Sequence, residues 1–347
     1  MSSALGSSIA SVSWLSASSL SRWVDSPSSR RVLLVAALAF LATACADRSV
    51  RATGPVQAGP WVTVVAEPVA ADPTRPERTE FGRFRYAGGL ALTATDSNRL
   101  HGLSDIRLLP DDRLLGVTDE GDLFEARLRL DPEGRLAGLD RARITPLQGE
   151  GGGPLGGKLE ADAEGLALLR DGSRLVSFEQ RHRILLYPAD GQPPRAVNSP
   201  QASFPPNGGL EALSADPARG PDAWLAGGEE SGELWSCTLR TPCRSLGPLP
   251  KPFEFGLVAV TPLPDGGLAY MIRAWDPVRG SRIALILRDA AGREVDRLEL
   301  ARPLTTDNFE GFDILPGKNG GLRFLLASDD NFSTEQRTLL LAFDWKP

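Results

Sequence analysis

The sequence predicts an all-β chain folded as a β-propeller, six-bladed at first count with five blades as the alternative, and three observations carry the prediction. From Phe81 onward one unit recurs: a short "EGL"-like start, an apolar strand, a Pro/Asp/Gly turn, a second apolar strand, a charged loop and a third strand. The starts of these units lie about 45 to 60 residues apart, the length of a four-stranded blade with its loops. The composition sets 36 Gly and 28 Pro against 2 Met and 7% aromatic residues, which favours many turns over long helices.

In chain order the copies are "HGLSDIRLLPDDRLLGVTDEGDLFEARL", "DAEGLALLRDGSRLVSFEQRHRILLYP", "GGLEALSADPARGPDAWLAGGEESGELWSCTL", "FGLVAVTPLPDGGLAYMIRAWDPVRGSRIALILRD" and "NFEGFDILPGKNGGLRFLLASDDNFSTEQRTLLLAFDW". Within them "RLLGVTD", "RLVSFEQ" and "GLAYMIR" are short, apolar-rich and end in charged residues, each after a tight turn such as "PDD", "RDGS" or "PDGG". The stretch "FGRFRYAGGLALTATDSNRL" would supply strands of a further blade, closed by strands from the C-terminus. No segment after Phe81 reads as a long amphipathic helix.

Residues 1–45 read as an export leader. Arg30 and Arg31 precede an apolar run from Val32 to Leu41, and small residues then lead to Cys45. That run is too short to span a bilayer comfortably. "LATAC" resembles a bacterial lipoprotein signal in which Cys45 receives the lipid, and "SRRVLL" is similar to a twin-arginine signal. Residues 46–80 carry Pro55, Pro60, Pro68, Pro73 and Pro76 and read as a tether, with the propeller expected over 81–347. Asp47 does not directly follow Cys45, so the expected place is the periplasmic side of the cell envelope, lipid-anchored at the outer membrane. Besides Cys45 there are only Cys237 and Cys243, spaced to close a small disulfide loop in an oxidising compartment.

A formal charge of −6 leaves no basic field for nucleic acid. The run from Gly152 to Lys158 imitates a phosphate-binding loop, but Leu159 stands where the magnesium-binding hydroxyl belongs, so it reads as a glycine-rich loop. Two histidines, His101 and His182, cannot make a three-histidine zinc site, and no G-x-S-x-G elbow is present. His101, just before the first blade start, is the candidate acid or base facing the channel.

Acidic residues recur at the blade starts: Asp105, Glu164, Glu211 and Glu310. First strands line a propeller's channel, so these carboxylates are expected to converge there, where oxygen-only ligands from separate elements suit Ca²⁺. Carboxylates at repeated positions also cap repeated turns, and recurrence alone is compatible with either role. A second set falls about 14 residues downstream, where second strands end. It comprises Asp119 and Glu120, Glu179 and Arg181, Glu229 and Glu230, Arg273 and Asp276, and Asp329 with Asp330 and Asn331. Among them Asp119, Glu229 and Asp329 are candidates for substrate contact, and Glu164, Glu179, Arg181 and Arg273 for catalysis, the arginines suiting an anionic oxygen.

The fragments "HGLSDIRLLPDDRLLGVTDEG", "EADAEGLALL", "DGSRLVSFEQRHRI", "GGLEALS", "NFEGFDILP" and "LLASDDNF", in that order, resemble the phytase-like domain family with esterase-like activity, found in exported bacterial proteins. The resemblance runs from about Phe81 to Trp345. It implies a propeller related to the calcium-dependent phytases, hydrolysing phosphoesters or carboxylic esters. Its motif positions fall on Asp105, Asp119, Glu164, Glu179, Arg181, Glu211, Glu310 and Asp329. The expected partner is a small ester or phosphoester and the expected state a monomer, with membrane contact through the N-terminal lipid alone. Two rivals stand beside the hydrolase: a calcium-dependent lactonase and a noncatalytic binding propeller of the envelope.

Overall fold

Apolar strands separated by Gly/Asp turns bury their surface by stacking as sheets, and the chain does so in a ring. The computed structural model describes residues 61–317 and 320–347. Three strands come first: β1 (Val64–Pro68), β2 (Glu80–Phe81) and β3 (Phe84–Ala94). The first blade is β4 (Leu103–Leu109), β5 (Arg113–Thr118), β6 (Asp122–Leu130) and β7 (Leu136–Pro146). The second is β8 (Ala163–Leu168), β9 (Arg174–Phe178), β10 (Arg183–Tyr187) and β11 (Arg195–Ala196). The third is β12 (Ala212–Ala215), β13 (Ala223–Gly227), β14 (Glu233–Thr238) and β15 (Arg244–Pro248). The fourth is β16 (Gly256–Pro262), β17 (Leu268–Asp276), β18 (Gly280–Arg288) and β19 (Glu294–Leu300). The fifth begins with β20 (Asn308–Pro316), β21 (Leu322–Asp329) and β22 (Thr338–Trp345).

The propeller therefore has five blades and not six. The N-terminal stretch expected to begin a further blade becomes β3, which pairs with β22 through contacts such as Leu340↔Leu90, and β1 pairs with β3 in turn. The physical reason is the open edge of β22: pairing it with β3 satisfies a row of backbone groups that a separate sixth sheet would leave bare. The folded domain also starts before Phe81. Pro68, one of the tether prolines, lies in β1, and nearby Asp72 is buried beneath ion pairs with Arg75 (3.0 Å) and Arg78 (3.4 Å). Cys45, the leader and residues up to 60 lie outside the described residues.

The inner strands β4, β8, β12, β16 and β20 neighbour one another around the channel. An apolar layer fills the space between adjacent blades, as where Phe309, Phe312, Phe324 and Phe343 meet Met271 and Leu285. Each such side chain, fully buried, contributes roughly 1.5–3 kcal/mol relative to leaving it exposed. The inner strands approach so closely that a Cβ on Gly311 would lie 2.7 Å from the Asp105 Cα. Cys237 and Cys243 form the disulfide expected from their spacing, tying β14 to the turn before β15. Among the described residues the only α-helix is the single turn α1 (Lys158–Ala161), within the loop that imitates a phosphate-binding motif.

Candidate functional site

Equivalent positions in the five blades meet at one mouth of the channel. In the first three blades a residue one or two places after the second strand donates its backbone N–H to the carbonyl just ahead of the first: Asp119 to Gly102 (2.9 Å), Glu179 to Asp162 (2.7 Å) and Glu229 to Gly209 (3.1 Å). In the fourth and fifth blades Arg273 pairs with Gly256 and Asp329 with Asn308. Just beyond, the inner strand bulges in four blades, at Ser104, Glu164, Val258 and Glu310, and Glu211 holds the same position ahead of β12. A bulge breaks the alternation of the strand and re-aims one side chain, which explains why the acidic residue recurs there.

This register corrects one expectation. Ser104, not Asp105, stands level with Glu164, Glu211 and Glu310. A slip of one residue in a strand turns a side chain to the opposite side. Both Asp105 oxygens are engaged below the mouth: Oδ1 accepts from the Ile106 N–H (2.8 Å) and Arg107 Nη1 (2.9 Å), Oδ2 from the Leu166 N–H (2.8 Å) and Arg107 Nη2 (2.8 Å). Arg107 also donates to the carbonyls of Phe312 (3.2 Å) and Leu213, so one guanidinium joins three blades across the channel. Burial pushes the Asp105 carboxyl up to about 7 against the pull of Arg107. Asp105→Ala is expected to cost about 3–5 kcal/mol by stranding a buried guanidinium, measured by denaturant unfolding. Ca²⁺ affinity should be unchanged, and a lost affinity would return Asp105 to the metal set.

At the mouth, Asp162, Glu164 and Glu179 each present a carboxylate oxygen, all within 4.8 Å of one another. Glu179 also accepts from the Gly209 N–H at 2.9 Å. Lys158 bridges Asp119 and Asp162, 2.6 Å from an oxygen of each. Gly102 lies beneath Asp119 with φ +59°, and a Cβ there would fall 1.8 Å from Asp119 Oδ1. Across the mouth Arg273 contacts Glu229 (3.2 Å), Glu310 and Asn308, and the Asn308 amide donates to Glu310 at 2.8 Å. The carboxylates outnumber Lys158 and Arg273, and the electrostatics follow. Burial, reinforced by neighbouring carboxylates, holds Glu164, Glu211 and Asp329 well above the usual range. Burial raises Glu179 to about 7; it does the same for Glu310 against Arg273, and lifts Asp119 to about 6 against Lys158. Several carboxylates held in one mouth with their charges uncompensated suit a hard cation with oxygen ligands, as Ca²⁺ requires.

Over residues 98–332 the sequence matches the phytase-like family, described as "Esterase-like activity of phytase". The chain belongs to the phytase-like family. This phytase-like sequence matches none of the curated proteins. In three dimensions it is similar to a proposed gluconolactonase at 13% identity, covering 84% of this chain and 96% of that one with a TM-score of 0.43. It is also similar to virginiamycin B lyase from Staphylococcus aureus (12% identity, 72% and 86% covered, TM-score 0.41) and to a streptogramin B lyase (11%, 82% and 99%, 0.40). At these scores the likeness carries no information about the site.

In the phytase-like propeller the residues singled out from sequence separate into groups. Glu164, Glu179, Glu211, Glu229, Arg273, Glu310, Asp119 and Asp329 share the mouth. His101 sits at the rim, its Nδ1 2.8 Å from Asp330 and its ring 5.3 Å from that of Phe332. The Asp330 hydrogen bond raises the His101 pKa, against the effect of burial. Arg181 turns outward, 70% exposed, and pairs with Glu160 at 2.9 Å, so Arg273 is the arginine that reaches the ring. Sequence reasoning missed Lys158, Asp162 and Asn308. The signal for Asp162 was its place two residues before Glu164, matching Asn308 before Glu310. Lys158 lies in a connecting loop with no counterpart in other blades, so no repeat could mark it.

Proposed function

We propose that this propeller is an exported hydrolase of phosphoesters or carboxylic esters that works with Ca²⁺ held in the acidic mouth. The observation that carries the reading is the group Asp162, Glu164 and Glu179, set in a ring whose negative charge is offset, among the described residues, by Lys158 and Arg273. Those three carboxylates, with Glu211 and Glu310 beside them, would hold the ion, and membership of the phytase-like family supports ester chemistry. When bound, Ca²⁺ would supply Lewis-acid polarisation of a phosphoryl or acyl oxygen.

The chain's own groups do the rest. Arg273, fixed by Glu229, Glu310 and Asn308, faces the mouth as a preorganised cation and offsets negative charge that develops on the substrate's oxygens. Lys158, held between Asp119 and Asp162, serves the opposite wall in the same way. One carboxylate of the mouth takes the proton from the attacking water as a general base, so no covalent nucleophile is needed. The leader supports export and lipid attachment at Cys45, with the propeller standing on the periplasmic side of the envelope.

The test follows phosphate release from a panel of phosphomonoesters, with a p-nitrophenyl carboxylic ester in parallel, in Ca²⁺ and then in chelator. Turnover that requires Ca²⁺ is the expected result. Turnover unaffected by chelator, or none on any ester from folded protein, overturns the reading, the second outcome in favour of the binding propeller.

A further inference from the structure

A cleft of about 780 Å³ leads away from the acidic mouth between the third and fourth blades, and Glu229 belongs to both. Its walls are aromatic. Phe204 packs edge-on against Trp235 with centroids 6.0 Å apart, Phe255 faces them from the approach to β16, and Phe253 stands at the lip wholly exposed to solvent. A phenyl ring left in water forgoes the burial of roughly 150–250 Å² that such residues usually gain, and no contact within the fold recovers it for Phe253. The polar lining is acidic. Glu229 and Glu230 flank the entrance, and among the described residues no lysine or arginine lines the cleft. Glu229 is paired with Arg273 at 3.2 Å and Glu254 with Arg282 at 3.4 Å, so the lining carboxylates that make no ion pair among the described residues are Glu230 and Glu233.

We propose that this cleft is a specificity subsite that binds an aromatic, positively charged group. Aromatic faces attract cations through the ring quadrupole, and the carboxylates repel anions, so the two features select the same chemistry. Because Glu229 joins the cleft to the ring, a molecule reacting beside Arg273 places its remaining portion here. A polyphosphorylated polyol would meet carboxylates and phenyl rings along this wall and is disfavoured. That the bound group is part of a substrate rests on the hydrolase reading; the binding itself does not.

The experiment is calorimetric titration of the full chain in detergent and Ca²⁺ with a matched pair of probes, benzyltrimethylammonium and benzenesulfonate, with Trp235 fluorescence as a second readout. The cation is expected to bind at least about tenfold more tightly than the anion, and Phe253→Ala to weaken it by about tenfold. Phe253 and Glu230 are exposed, so their replacement leaves the fold in place, and Glu230→Gln should reduce the preference for the cation. Equal affinity for the two probes, no binding of either, or binding indifferent to Phe253→Ala overturns the subsite. Binding that follows these rules while no ester is hydrolysed sinks the hydrolase and leaves the subsite standing. Ester turnover with cation binding unchanged in Phe253→Ala does the reverse.

Discussion

Replacing Glu164 by Gln is expected to remove turnover and Ca²⁺ binding together while the propeller stays folded. Glu164 belongs to the group of three carboxylates, and its neighbours Glu211, Asp162, Glu310 and Glu179 add to burial in opposing its charge. Gln keeps the shape, loses the charge and offers only a weaker carbonyl ligand, so a hard cation loses a main partner. Activity should fall roughly 10²–10⁴-fold, the range typical for losing a group that acts on the reacting centre. The metal-free variant should be at least as heat-resistant as the parent, because one member of a repelling set is gone. Phosphate release, calcium titration and thermal unfolding on the same preparation decide it. Undiminished turnover would remove Glu164 from the mechanism, whereas lost activity with a collapsed melting transition would make its role structural.

Stripped of metal, the protein is expected to become more stable as pH falls from about 8 to about 5. Glu179 and Glu310 titrate near 7 in the folded chain against an ordinary 4.5, and Asp119 near 6 against 3.8. Between those limits the folded state carries more protons than the unfolded one. Their contribution is therefore complete below the unfolded values and lost as pH rises through about 6 to 7. Asp72 works in the other direction: hydrogen bonds from Thr74, Arg78 and Arg75 bring it to about 2, so its contribution holds above 3.8 and fades only below that. Thermal unfolding in chelator should thus show a maximum near pH 4, with the midpoint at pH 8 lower by about 5 °C or more. Ca²⁺ at about a hundredfold over its Kd should restore about 2.7 kcal/mol and flatten the profile, because the ion replaces the protons. A metal-free midpoint that rises steadily from pH 5 to 8 would show that the mouth is not strained by its own charge.

Much of this was legible in the sequence because a propeller repeats its chemistry along with its strands. Glu164, Glu211 and Glu310 announced themselves through similar flanking residues, and their equivalent place at the start of the inner strand, a bulge for Glu164 and Glu310, explains why. Asp105 sat in an equally similar phrase, yet one residue out of step, and in a strand one step exchanges the channel mouth for the plug beneath it. The blade count miscarried for a different reason: which strand β3 joins depends on where the two ends of the chain meet in space, and no local pattern encodes that. Lys158 was noticed only as the end of a glycine-rich loop, and its place in the mouth could not be read because connecting loops are free of the repeat. Glu229 was readable as an acid where a second strand ends, whereas Phe253 belongs to no repeated motif, and their common cleft forms only when consecutive blades are set side by side.

The fifth blade holds a consequence for how the molecule comes into being. Its strands β20, β21 and β22 come from the end of the chain, β3 and β1 from the beginning, and Asn308, Glu310 and Asp329 ride on it. A nascent chain that has already made four blades still lacks a fifth of its acidic ring and two of the three partners that fix Arg273, Glu310 and Asn308. Synthesis therefore completes the site only at the end, when the last strand meets β3 near the beginning of the domain. A chain cut short before β20 keeps the carboxylates of the second blade but has neither a closed ring nor the fifth-blade groups that face them.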